Sequence, residues 1–154
     1  MTCNTWSSPP CALSPTGPGE SATFQIREGD HRVVLLRVEG RHTVREDIAI
    51  GMMMPLDRGA PGHVIVQYSR PPDQWPPPKV IVSIGERNPE IAAASAPVFG
   101  VRQTLIGALC GSGTVARLSV PARMQMMRAA VRDIARTLTD TLGGDSSVFE
   151  RMEC

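Results

Sequence analysis

The stretch from Ile91 to Thr114, IAAASAPVFGVRQTLIGALCGSGT, constrains the fold of this chain more than any other. Ala94, Ala96 and Val98 alternate with Ala93, Ser95 and Pro97, and alternation returns from Thr104 to Ser112, which predicts two neighbouring strands joined by a turn at Val101-Arg102-Gln103. Residues on both faces are mostly small and uncharged, so the pair belongs at the centre of a sheet, covered on one side by helix and open on the other to something small. Leu105, Ile106 and Leu109 supply core volume, while Cys110 and Ser112 bring polar atoms to the end of the second strand. The glycines of Cys-Gly-Ser-Gly let a ligand approach the backbone, although a tight turn after a core strand is the plainer account of them.

The segments before this pair read as strand, turn and short helix. Ser21 to Arg27 and Arg32 to Val38 flank the turn-forming Glu28-Gly29-Asp30-His31 and predict a β-hairpin. A third strand is expected from His42 to Ile50, with Arg45, Glu46 and Asp47 facing solvent on a sheet edge. Asp57 suits a helix N-cap and Arg58 to Tyr68 a helix, but the β-branched run Val64-Ile65-Val66 fits a strand equally well. Half of the ten residues in Ser69 to Pro78, SRPPDQWPPP, are proline, so this segment is a polyproline-like connection with Trp75 available to pin it to the body. Lys79 to Ile84 is an apolar strand ended by Gly85-Glu86-Arg87-Asn88-Pro89.

After the central pair, Ser119 is a candidate N-cap and Pro121 sits in a first turn, where a missing N–H does no harm. Met124, Met127, Val131, Ile134, Leu138 and Leu142 follow at helical spacing and form the stripe of an amphipathic helix that Gly143-Gly144 stops. The methionines read as core packing rather than a ligand box. This order gives an α+β domain over residues 20–144, with an antiparallel sheet of about six strands and helices on one face. Residues 1–19, rich in Ser, Thr, Pro and Gly, are expected to be poorly ordered, and residues 145–154 a frayed C-terminal tail.

Composition narrows the functional classes. A chain of 154 residues, 42% hydrophobic and 20% charged, has enough apolar material for one domain with a proper core. Its net charge of +1 and the lack of a basic block argue against a nucleic-acid surface. Apolar runs are short and interrupted by Gly or Pro, so none could span a membrane, and the N-terminus lacks the pattern of a signal peptide. Cys3, Cys11, Cys110 and Cys154 are scattered, which suggests free thiols in a reducing cytoplasm, with no metal site and no cofactor. An enzyme would need Cys110 as nucleophile with His42 or His63 as base, yet neither histidine sits in a catalytic signature. Gly107, Gly111 and Gly113 do not form a phosphate loop, because no Lys-Ser/Thr follows them.

Four pieces in order and spacing carry a family resemblance: REGDHRVVLLRVEG, MPLDRGAPG, GERNPEIAAASAPVFG and GALCGSGTVARLS. Together with their surroundings, Ala22 to Pro61 and Val82 to Gly143, they resemble the effector-binding domain of the IclR family of bacterial transcriptional regulators. The resemblance implies a GAF-like or profilin-like fold, a pocket for a small, often carboxylate-bearing effector, and self-association as a homodimer or homotetramer. Members usually carry an N-terminal winged helix-turn-helix and a linker helix, which Met1 to Gly19 does not offer, so direct DNA contact by this chain is not expected. The proline-rich SRPPDQWPPP stands where the family commonly has a helical segment.

Carried over position by position, the resemblance assigns the polar end of the pocket to Ser112, with Cys110 beside it and Ser83 opposite. Ala60 and Pro61 fall where backbone groups meet the ligand, although Pro61 has no N–H to give. Met54, Ala93 and Glu46 fall on lining positions. A buried Glu46 disfavours an anion, so the pocket is expected to prefer a neutral or amine-bearing effector or to be degenerate. The alternative is a stand-alone interaction module without a ligand, pairing with full-length regulators.

Overall fold

A computed structural model describes residues 19–42 and 47–153. Among the described residues six strands form one antiparallel sheet: β1 (Ser21–Glu28), β2 (His31–Val38), β3 (Met53–Pro55), β4 (Ile81–Ile84), β5 (Ile91–Phe99) and β6 (Leu105–Thr114), in the order β3-β2-β1-β6-β5-β4. The two strands expected at the centre are β5 and β6, and β1 pairs with the other side of β6. The turn between them is a short 3₁₀ segment, Val101–Gln103, in which Arg102 and Gln103 take left-handed backbone angles.

Register decides what each face can hold, because residues directly opposite each other share a face. Ala93 lies opposite Ser112 and Ser95 opposite Cys110, whereas Ala94 lies opposite Gly111 and Ala96 opposite Leu109. On the second of these faces rests α3 (Pro121–Thr141), whose buried side includes Met127, Val131, Ile134 and Ala135. The helix comes so close that a Cβ on Gly111 would overlap Met127 Sδ and lie 3.3 Å from a Val131 methyl. Small residues in β5 and β6 are therefore what lets a methionine-bearing helix seat on the sheet.

The helix α1 (Ala60–Tyr68) lies on the opposite face, where Ala60 packs with Ala93 and Cys110. Helices thus take both faces, not one, because both faces of β5 and β6 are apolar enough to need cover. The β-branched run in α1 is helical because Val64 and Ile65 are fully buried there, so tertiary packing overrides intrinsic preference. Its N-cap is Gly59, at φ 83° and without a side-chain cap, rather than Asp57. A short helix, α2 (Val115–Leu118), takes Ser119 as its C-cap, so Val120 rather than Ser119 precedes α3.

Two further expectations change. The third strand is β3, not His42–Ile50: His42 and residues 47–50 are outside any strand, and residues 43–46 lie outside the described residues. The left-handed Gly51 donates its N–H to Val34 O at 2.7 Å, and the ladder with β2 runs from Met53 to Pro55. Residues 145–153 are not frayed; Ser146–Arg151 forms a 3₁₀ turn that buries Val148 and Phe149, and Met152 is buried beside it. Three apolar side chains in nine residues give that segment something to bury, which the glycine pair before it conceals. The proline-rich connection is pinned as expected: Trp75 stacks on Phe99 at 4.8 Å and meets Tyr68 edge-on at 5.2 Å. The expectation for the N-terminal segment falls on residues 1–18, outside those described, as do Cys3, Cys11 and Cys154.

Candidate functional site

The face that α1 covers carries a polar cleft. Its floor is β5 and β6, through Ala93 and Cys110, with Gln25 of β1 and Arg32 of β2 beside them. Ser83 of β4 and Ile91 close one side, Gly59 and Pro61 the mouth of α1, and Ile48 another wall. Glu86, Arg87 and Asn88, from the turn after β4, complete the rim. The cavity measures about 30 Å³, enough for a water or two or for a small head group. A larger groove of about 470 Å³ is open and lies between the proline-rich connection and Gln103, Asp145, Val148 and Arg151.

Arg32 organises this cleft. Alternation along β2 turns it inward on the same face as Val34, and it is only 2% exposed. Its Nε donates to Pro55 O at 2.9 Å and Nη2 to Arg58 O at 3.0 Å, while Nη1 donates to Gln25 Oε1. Burial lowers its pKa, as it does that of Arg87. The space for the guanidinium comes from Gly59, where a Cβ would stand 3.0 Å from Nη2. At the rim, Glu86 Oε1 accepts from His63 Nε2 at 2.7 Å and from Gly59 N at 3.3 Å, and the His63 bond is the main reason its carboxyl pKa is lowered.

Of the expected site residues, Ser83, Pro61, Ala93 and Cys110 come together at the cleft. Ala60 adjoins it, but its N–H donates to Ser83 Oγ at 2.9 Å, so that backbone donor is already engaged. Met54 stands behind the wall, packed with Val34 and Ile48. Ser112 is buried one pair further along the sheet, opposite Ser21 and Ala93, and is absent from the lining. Glu46 lies outside the described residues. Gln25, Arg32, Glu86 and Arg87 went unread. The inward parity of Arg32 with Val34 was the available signal for the first pair, whereas Glu86 and Arg87 looked like an ordinary turn.

Cys110 is a poor nucleophile. Burial pushes its thiol up to about 12, against the smaller opposing pull of Arg32, and its Sγ lies 3.6 Å from Gly111 O. The candidate bases point elsewhere, His63 to Glu86 and His42 toward Glu20 at 3.5 Å. Among the described residues no cluster of His, Cys, Asp and Glu could hold a metal ion, and no helix is long and apolar enough to cross a membrane.

Comparison with solved structures bears on this arrangement of sheet, helices and cleft. An IclR-family regulator from Rhodococcus sp. superposes with a TM-score of 0.73 at 21% identity, over 85% of this chain and 59% of that one. The fold is that of IclR-family regulators. The C-terminal domain of a Vibrio cholerae transcriptional regulator is matched over its whole length and 88% of this chain, with a TM-score of 0.71 and 22% identity. An IclR regulator from Alicyclobacillus acidocaldarius gives 0.70 at 17% identity, over 88% of this chain and 65% of that one. This chain thus spans about three fifths of the Rhodococcus regulator. No protein-family model and no curated protein matches the sequence. In this IclR-type fold the cleft lies between α1 and the face of β5 and β6 that carries Ala93 and Cys110.

Proposed function

We propose that this chain is the ligand-sensing and assembly domain of an IclR-type transcriptional regulator. A small-molecule effector enters the cleft beneath α1 and alters DNA binding by a domain outside it. The observation that carries this reading is a buried polar cleft at the joint between a sheet and a helix, in a fold shared with a regulator's separate C-terminal domain. Few convergent polar groups on an otherwise apolar floor are what orients a small ligand. Because the cavity is small, any effector larger than a head group displaces α1 or the residues before it. Arg32 links that displacement to β2, through its bonds to Pro55 and Arg58.

Assembly into homodimers or tetramers is the second half of the proposal. Leu35, Leu36 and Met53, in neighbouring strands at one end of the sheet, are exposed and apolar, as an interface in an oligomer would be. The small cavity favours a second reading, an interaction module that pairs with full-length regulators without a ligand. Thermal-shift screening of metabolites separates the two: an effector at a hundred times its dissociation constant stabilises the fold by about 2.7 kcal/mol. If no metabolite raises Tm and the chain sediments as a monomer at high concentration, the sensing and assembly proposal fails. A ligand whose affinity is unchanged by Ser83→Ala and by Ser112→Ala removes both residues from the site.

A further inference from the structure

Resting on the cleft as the sensing site, we propose that the Glu86 carboxylate is a latch that holds the cleft shut by tying the turn after β4 to the first turn of α1. Its Oε1 accepts from His63 Nε2 at 2.7 Å and from Gly59 N at 3.3 Å. Gly59 and His63 are themselves joined, His63 N donating to Gly59 O at 3.2 Å, so one carboxylate oxygen grips the whole start of the helix. Glu86 and Gly59 both line the cleft, and the bond between them crosses its rim.

The two sides of the rim have to part before an effector can enter. The cavity holds only about 30 Å³, and Cys110 on its floor, packed under Ala60, is 3% exposed. An inner tie, Ala60 N to Ser83 Oγ at 2.9 Å, is buried on both sides. The latch is the outer tie, and its His63 and Glu86 side chains are 42% and 37% exposed. Such a pair exchanges its bonds for water at little cost, so it is the tie that yields first. Left-handed glycines stand where a parting would pivot, Gly59 at φ 83° before α1 and Gly85 at φ 68° before Glu86. The turn is braced from within, by Gly85 N to Ile91 O at 2.9 Å, Ile91 N to Asn88 O at 3.0 Å and Glu90 N to Asn88 Oδ1 at 2.9 Å. It is therefore the fixed side. Fully buried Val64 and Ile65 anchor the body of α1, which leaves its first turn to swing and lift Ala60 away from Cys110.

Cys110 reports the opening. In the full chain with Cys3, Cys11 and Cys154 replaced by serine, its reaction with methyl methanethiosulfonate at pH 8 is followed by mass spectrometry. Glu86→Ala and His63→Ala should each raise the labelling rate about two- to fivefold, the range that loss of an exposed pair allows. The double variant should be no faster than Glu86→Ala. Glu86→Gln should fall between parent and Glu86→Ala, because a neutral oxygen still accepts but without the charge. Glu150→Ala, which removes an exposed pair with Arg136, should leave the rate unchanged. Labelling through a local opening is insensitive to low urea, whereas labelling through global unfolding rises with it, and this separates a latch from a general loss of stability. Parental rates in Glu86→Ala and His63→Ala, or a rise that only follows the loss of global stability, overturn the latch and leave the sensing proposal to the metabolite screen. Faster local labelling in both variants upholds the latch, and if no metabolite then raises Tm, the sensing reading fails by itself.

Discussion

Replacing Gly111 by Ala tests the seating of α3 on the sheet. The new Cβ would overlap Met127 Sδ and stand 3.1 Å from Met127 Cε and 3.3 Å from a Val131 methyl. Met127 and Val131 are fully buried, so the methionine has no open side to retreat to. Overpacking of this kind costs about 1–3 kcal/mol. Against it stands a gain of about 0.4–1 kcal/mol, because the unfolded chain loses glycine's freedom and Gly111 is not in a left-handed conformation. The net expectation is destabilisation by about 1–2 kcal/mol, a fall in Tm of about 2–8 °C for a domain of this size. Met127→Ala alone should cost about 2–5 kcal/mol. In the double variant the added methyl occupies space that the methionine vacated, so the total should fall short of the sum by about 0.5–3 kcal/mol. Urea denaturation of the four proteins measures the cycle. A Gly111→Ala variant as stable as the parent, or strict additivity, would refute the close approach of α3 to β6.

Other expectations follow from particular contacts. Glu20, 5% exposed, receives two bonds from Arg117, at 2.8 and 2.9 Å, so Glu20→Gln should cost about 1.5–3 kcal/mol in denaturant, and a neutral result would mean that the pair does not tie β1 to α2. With the other three cysteines replaced by serine, Cys110 should resist iodoacetamide at pH 8 in the native state and react once unfolded, because burial holds its thiol up at about 12; rapid native labelling seen by mass spectrometry would contradict its burial. The Glu86 carboxyl, depressed first by the His63 hydrogen bond, should titrate below the ordinary carboxylate range by NMR. A depressed folded pKa stabilises the protein above the unfolded value and loses that contribution as pH falls through the folded one, so His63→Ala should raise the Glu86 midpoint and flatten the acid limb of stability; an unmoved midpoint would assign the depression elsewhere.

The expected elements were legible where a short-range pattern had one physical meaning. Strict alternation with small residues marked β5 and β6, and six apolar positions at helical spacing marked α3. Reading failed at three kinds of place. Val64-Ile65-Val66 satisfied two periods at once, and the burial of Val64 and Ile65 under a helix decided between them. Asp57 and Ser119 had the chemistry of N-caps but not the position, since Gly59 at φ 83° and Val120 begin the helices. The C-terminal residues carry no local period, and Val148, Phe149 and Met152 are ordered because they fill the side of the core near Phe99.

By itself the sequence determined the α+β class, the central strand pair, the long helix and four of the residues that meet at the cleft, because each depends on local periodicity or on a motif read in register. Tertiary structure alone decided that α1 and α3 take opposite faces, and that Arg32 and Ser83 share a cavity although they are far apart in the chain. It also decided that the Ala60 N–H is consumed by Ser83 rather than left for a ligand. The physical reason is that a hydrogen-bond donor's availability depends on every acceptor within about 3 Å of it, and those acceptors come from strands and turns whose distance along the chain carries no such information.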